Sequence, residues 1–158
     1  MSRPACCALI AALSSAACQQ PEPPVFDVET TRVYAADKRS VFDDIVAFLE
    51  SRDVEVVDAD VGSGTIRAER RDFDDAGWAS CERRRVTDRT SNAPRRIRAT
   101  PVGRDLDLRI MLRETDAGTE VRLDPEFSEE QINPFTNLSF TAPCRSTGEL
   151  EAELLGSI

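Results

Sequence analysis

Between Leu106 and Phe127 apolar and polar residues alternate so strictly that a strand pair is the structure that absorbs them. Leu106, Leu108, Ile110 and Leu112 interleave with Asp107, Arg109, Met111 and Arg113. Successive strand side chains point to opposite faces, so a period of two puts the aliphatic residues on one side and charge on the other. Asp116-Ala117-Gly118 reads as a hairpin turn, after which Val121, Leu123 and Phe127 alternate with Arg122, Asp124 and Glu126. Such a half-buried antiparallel hairpin needs a cover for its apolar face.

Two segments supply that cover. Val41, Phe42, Ile45, Val46 and Leu49 fall at one-face helical spacing, with Phe48 at the border, in a helix that Asp37 or Ser40 starts and that runs to about Arg52. Near the C-terminus, Leu150, Leu154, Leu155 and Ile158 form a second stripe, preceded by Ser146-Thr147-Gly148-Glu149, which fits a capping box. The remaining strands are predicted at 29–35, 54–61, 65–70, 78–86 and 96–102, with Gly62-Ser63-Gly64 as a hairpin turn and 87–94 as a loop. The segment before the last helix reads as loop. The expected order is β-α-β-β-β-β-β-β-α, an α+β domain with a single antiparallel sheet and both helices on one face.

The N-terminus carries a different message. Arg3 is followed by a short apolar run, Ala5 to Leu13, then by small residues 14–17 and Cys18. A charged start, an apolar middle and a small-residue cleavage site form a secretory signal, here 1–17. The run is shorter than the roughly 20 residues a membrane-spanning helix needs. A cysteine directly after the small residues resembles the lipobox of bacterial lipoproteins, which implies cleavage before Cys18 and acylation of its sulfur. The match departs at Ser15, where leucine is usual. Ser15-Ala16-Ala17 also suits ordinary signal peptidase, which keeps a soluble periplasmic or secreted protein as the alternative. Residues 18–28 would then be the lipidated cysteine and its tether, since Gln19-Gln20-Pro21-Glu22-Pro23-Pro24 is a polar, proline-rich spacer. With Gln19 in place of the aspartate that retains enteric lipoproteins at the inner membrane, the resemblance points to the periplasmic side of the outer membrane. The folded domain is expected at 29–158.

If the lipobox reading holds, cleavage removes Cys6 and Cys7 and acylation consumes Cys18, leaving Cys81 and Cys144 in an oxidising compartment. They form one disulfide or stand as two separate buried thiols. A bridge would fasten Cys144, just ahead of the last helix, to Cys81 in the sheet.

Charge and composition exclude more than they assign. The formal net charge is −9, which argues against a nucleic-acid partner. Histidine is absent, removing Ser-His and Cys-His mechanisms and His-ligated metals; no metal or other cofactor is expected. Asp58, Asp60 and Glu69 have calcium-loop spacing, but Gly62 stands where a ligand belongs and Ser63 where the turn glycine belongs. Asp72, Asp74 and Asp75 read as a solvated loop. The basic residues concentrate in 61–104, which holds 11 arginines against 6 acids. Within it, Arg83, Arg85, Arg96 and Arg98 would form a patch for an anionic partner if their strands are neighbours. Pairing with Asp107, Glu120, Asp124 and Glu126 is the competing arrangement.

The element order over about 29–156 resembles helix-grip or TBP-like domains of small bacterial outer-membrane lipoproteins. One example is the carboxy-terminal domains of a barrel-assembly-machinery accessory lipoprotein. The run from Cys144 to Glu151 looks like the end of other short lipoproteins of unassigned function. The resemblance implies a non-enzymatic, membrane-anchored accessory or scaffold that binds an envelope protein. Two alternatives remain: a helix-grip module holding a lipid or other amphiphile, and a histidine-free carboxylate hydrolase of an envelope polymer.

Overall fold

The structure, a computed structural model, describes residues 26–74, 77–88 and 93–158. In chain order its elements begin with β1 (Thr31–Tyr34), α1 (Lys38–Ser51), β2 (Glu55–Asp60), β3 (Thr65–Phe73) and β4 (Ala79–Cys81). They continue with β5 (Arg85–Asp88), β6 (Arg95–Arg98), β7 (Thr100–Thr115), β8 (Gly118–Ile132), β9 (Ser139–Ser146) and α2 (Glu149–Ser157). The main sheet has the order β2-β3-β7-β8-β9-β4, and every pairing is antiparallel. β1 and β9 share one edge of β8, β1 beside Thr119–Arg122 and β9 beside Phe127–Ile132.

The alternating hairpin is the centre of this sheet. β7 and β8 pair from Thr115↔Gly118 outward, so the turn is the two residues Asp116 and Ala117. The register sets Leu106 against Phe127, Ile110 against Leu123 and Leu112 against Val121 on the inner face. Val41, Ile45 and Leu49 of α1 and Leu150, Leu154 and Leu155 of α2 join them in one continuous buried cluster. Each of these fully buried aliphatic side chains contributes about 1.5–3 kcal/mol. The two-layer α+β architecture follows.

Local chemistry fixes the ends. Asp37 caps α1, its carboxylate accepting the Ser40 N–H at 3.0 Å. Gly64, at φ +72°, lets the β2–β3 turn press against β7: its carbonyl accepts the Leu112 N–H at 2.7 Å. An added Cβ there would meet the Leu112 carbonyl oxygen, so only glycine fits. At the C-terminus of α2 the Leu155 carbonyl accepts from both Arg32 and Tyr34 at 2.6 Å, which ties β1 to the helix. The β2 edge is guarded by Glu55, Asp58 and Asp60 and by a bulge that leaves Val57 56 % exposed.

Several expectations need correction. The predicted strand 78–86 is two short strands, β4 and β5, separated by Glu82-Arg83-Arg84. The predicted strand 96–102 breaks at Ala99, where the chain passes from β6 into β7. β5 and β6 form a second, two-stranded sheet, so the sheet is not single. Residues 139–146, read as loop, are strand β9. Gly148 caps α2 with no side-chain bond, so Ser146 and Glu149 do not make the expected box. Ser146 instead accepts the Gly148 N–H at 3.0 Å in a local turn.

The disulfide between Cys81 and Cys144 is present, closing a separation of 63 residues. Its partners face each other across β4 and β9. It therefore fastens an edge strand of three residues to the sheet, while Arg32 and Tyr34 tie the C-terminal end of α2 to β1.

Candidate functional site

An arm of two paired strands, β5 and β6, leaves the main sheet between β4 and β7, and its base is set by buried polar groups. Along β8 the inward alternation continues past Phe127 to Glu129 and Gln131, which are 1 % and 0 % exposed. Arg104 on β7 lies directly opposite Glu129, and its Nε donates to Glu129 Oε2 at 3.1 Å. Gln131 Nε2 donates to Glu129 Oε1 at 2.9 Å and to the Glu82 carbonyl at 3.0 Å. Gln131 Oε1 accepts the Arg84 N–H at 3.0 Å. The amide thus stands in for a neighbouring strand and satisfies two backbone groups of the 82–84 link, the Glu82 carbonyl and the Arg84 N–H.

From that base the arm projects. The Arg84 guanidinium stacks over the Phe140 ring at 5.2 Å, and the Arg84 carbonyl accepts the Ala99 N–H at 2.8 Å, closing the arm's neck. β5 and β6 pair Arg85 with Arg98, Val86 with Ile97, Thr87 with Arg96 and Asp88 with Arg95. Opposite residues share a face, so Arg85, Arg98 and Arg96 stand together on one side of the arm. All three are exposed. Arg83 lies in the link before β5, also exposed, and does not belong to this face.

The electrostatics of the arm are unbalanced. Like charges directly opposite on neighbouring strands repel, and Arg85 faces Arg98. Among the described residues, Arg83, Arg85, Arg96 and Arg98 form no ion pair with a carboxylate. The acids expected to neutralise them have other neighbours. Asp107 bonds Arg71 at 2.9 Å and Glu120 pairs with Arg113 at 3.1 Å. Asp124 lies opposite Arg109, and Glu126 opposite Asp107. Two guanidinium forks one strand spacing apart, with a third further along, are a chemical match for carboxylate or phosphate oxygens.

The open face of the sheet carries a second charged feature. Glu55, Glu69, Asp107 and Glu126 line up across β2, β3, β7 and β8. Arg71 bridges Glu69 and Asp107, and those bonds raise its own pKa, the Asp107 bond most. A shallow depression of about 230 Å³ lies over this row, with Arg67 and Arg109 among its walls. Among the described residues no group of His, Cys, Asp or Glu has the geometry to hold a metal ion. Asp72 sits at a bulge in β3 with φ 52°, its N–H donating to Asp105 at 3.3 Å, and Asp75 lies outside the described residues.

Cys18, the signal 1–17 and the tether through residue 25 also lie outside the described residues. No helix among the described residues is long and apolar enough to cross a membrane. Sequence reading located the arginines but missed Arg104, Glu129 and Gln131. The signal was there: continuing the period of two beyond Phe127 puts 129 and 131 on the inner face. No protein-family model, curated protein or solved structure matches the chain.

Proposed function

We propose that this chain is a non-enzymatic accessory lipoprotein of the cell envelope, held by lipid on Cys18 at the periplasmic side of the outer membrane. In this reading its arginine arm docks an acidic surface of an envelope protein. The observation that carries it is the arm face: Arg85, Arg96 and Arg98 are exposed and, among the described residues, without carboxylate partners, in a chain of net charge −9. Three exposed guanidinium groups clustered on one face leave their donors available to an external anion, and charge complementarity of this kind gives a docking surface its specificity.

The neighbouring readings have less support. An amphiphile-binding module needs a cavity between α1 and the sheet, and that space is filled by one continuous apolar cluster. A carboxylate hydrolase would draw on Glu69 and Asp107, both of which Arg71 engages on an open sheet face.

The test is crosslinking in the native envelope followed by mass spectrometry, on the wild-type chain and on an R85E/R96E/R98E variant. The reading predicts a crosslinked envelope protein that the variant loses, together with an acylated Cys18 at the mature N-terminus. An unmodified Cys18 would remove the anchor from the proposal. Crosslinks that persist unchanged in the variant would remove the arm.

A further inference from the structure

Resting on the reading of the arm as the docking element, we infer that its partner is an extended acidic segment that adds to β6 as a third strand. Its carboxylates, at alternate positions, would meet the arginine face.

The arm is a ribbon of two strands, and β6 pairs with β5 alone among the described residues. All four residues of β6 are exposed. In an antiparallel pair, alternate residues turn their N–H and C=O groups away from the partner, so the outer side of β6 offers unused backbone donors and acceptors. A ribbon of two strands has little stability of its own, and a third strand would add to it.

The side chains define what that strand must carry. Arg96 and Arg98 lie two positions apart on one face, and Ile97 between them is 40 % exposed on the other. A segment reading acid–apolar–acid would set carboxylates beside Arg96 and Arg98, within reach of Arg85, and an apolar side chain beside Ile97. The same arginines would repel a basic strand and leave a neutral one without compensation, so the edge discriminates as well as attracts. The β5 side is less suitable, because Val86 there is already buried. Anionic lipid headgroups would satisfy the guanidinium groups, yet they have no use for an open strand edge or for Ile97. The protein strand uses all three features.

The probe is a synthetic peptide of about six residues alternating Asp and Val, titrated onto the purified full chain by fluorescence anisotropy at low and high salt. Two controls carry the same composition: one with its charges grouped in a block, and one N-methylated at alternate amides so that it cannot bond a strand edge. The expected result is salt-sensitive binding of the alternating peptide. Both controls should bind about tenfold or more weakly, as expected when charge-assisted or backbone hydrogen bonds are lost. R96E/R98E should abolish binding, and R96Q/R98Q should weaken it, with the far-UV spectrum and melting temperature of each variant unchanged. Equal binding of all three peptides overturns strand addition, leaving simple charge attraction. Binding to phosphatidylglycerol vesicles with no binding of the alternating peptide overturns it in favour of a lipid surface. These outcomes are separable from failure of the parent reading, which would appear as envelope crosslinks indifferent to the arginines.

Discussion

Gln131 holds Arg84 by its backbone: the Arg84 N–H donates to Gln131 Oε1 at 3.0 Å, and Gln131 Nε2 returns a bond of 3.0 Å to the Glu82 carbonyl two residues earlier. This side chain is wholly buried and also bonds Glu129. The direction of the arm therefore depends on a core amide one layer beneath it. Replacing Gln131 with Leu should leave the Glu82 carbonyl, the Arg84 N–H and one Glu129 oxygen short of partners. Each such group costs about 1–3 kcal/mol when it stays buried, so a loss of several kcal/mol is expected, reduced where water enters. Urea denaturation measures that loss. Hydrogen exchange reads the position, and the Arg84 and Ala99 amides should exchange faster than those of β7 and β8. Unchanged exchange at Arg84 would mean that the arm is held by something else.

The disulfide acts on the same neck from the other side. Cys81 ends β4, with three residues between it and the start of β5 at Arg85, and the bridge to Cys144 makes the β4–β9 pairing covalent. Closing a loop of 63 residues lowers the entropy of the unfolded chain, which predicts about 4 kcal/mol of stabilisation in the loop-entropy treatment. Trp78 and Ala79 remain buried beside the bridge at 2 % exposure, so the C81A/C144A chain should still fold, with a lower denaturation midpoint. Comparing reduced and oxidised wild-type protein with that double variant checks the figure. A midpoint unaffected by reduction would show that the bridge adds nothing to the fold.

What the sequence made legible was what repeats. The inner faces of β7, β8 and α1 were readable because Leu106 to Leu112, Val121 to Phe127 and Val41 to Leu49 keep a clean period. β9 escaped because its inward and outward residues are both modest: Phe140 and Ala142 alternate with Ser139, Thr141 and Pro143, and proline argues against an inner strand. Its assignment depends on pairing with β8, a long-range fact. The capping box failed because Gly148 takes a left-handed conformation and starts the helix itself. The arm's arginines were visible as a charge run, yet the facing of Arg85 by Arg98 requires a break at Ala99 that no local pattern announces. Glu129 and Gln131 were missed for a chemical reason, since polar residues at core positions look like the end of a strand unless their partner, Arg104, is already placed.

The β2–β3 turn gives a prediction in pH. The Ser63 hydroxyl, which donates to the Asp60 main-chain carbonyl at 3.3 Å, and then the Gly62 and Ser63 N–H groups, which donate to its carboxylate, hold the Asp60 carboxyl below the usual aspartate range. A depressed folded-state pKa stabilises the fold above the unfolded value, near 3.9, and that contribution is lost as pH falls through the depressed value. The turn should therefore stay intact at mildly acidic pH and loosen only below the ordinary aspartate range. An NMR titration of the Asp60 carboxyl carbon measures this directly, and Ser63→Ala should move its midpoint upward. A midpoint at the ordinary value in the wild-type chain would contradict the bonding assigned to the turn.

Glu151 is the least economical residue in the fold, and its replacement gives the sharpest stability test. It lies in the first turn of α2 at 1 % exposure, and neither carboxylate oxygen has a hydrogen-bond partner among the described residues. Two effects oppose each other there. A negative charge near a helix N-terminus gains about 0.3–1 kcal/mol from the aligned peptide dipoles. Leaving a buried carboxylate without bonds costs about 1–3 kcal/mol, and more when it is charged. The burial term is larger, so Glu151→Met, which keeps the length and removes the polar group, should raise the stability of the domain by about 1–2 kcal/mol. Glu151→Gln should gain less, because its amide would also be buried without partners. Paired urea curves for the two variants and the wild-type chain decide the matter. If Glu151→Met proves less stable than wild type, the gain from the helix dipole outweighs the cost of burial at this position.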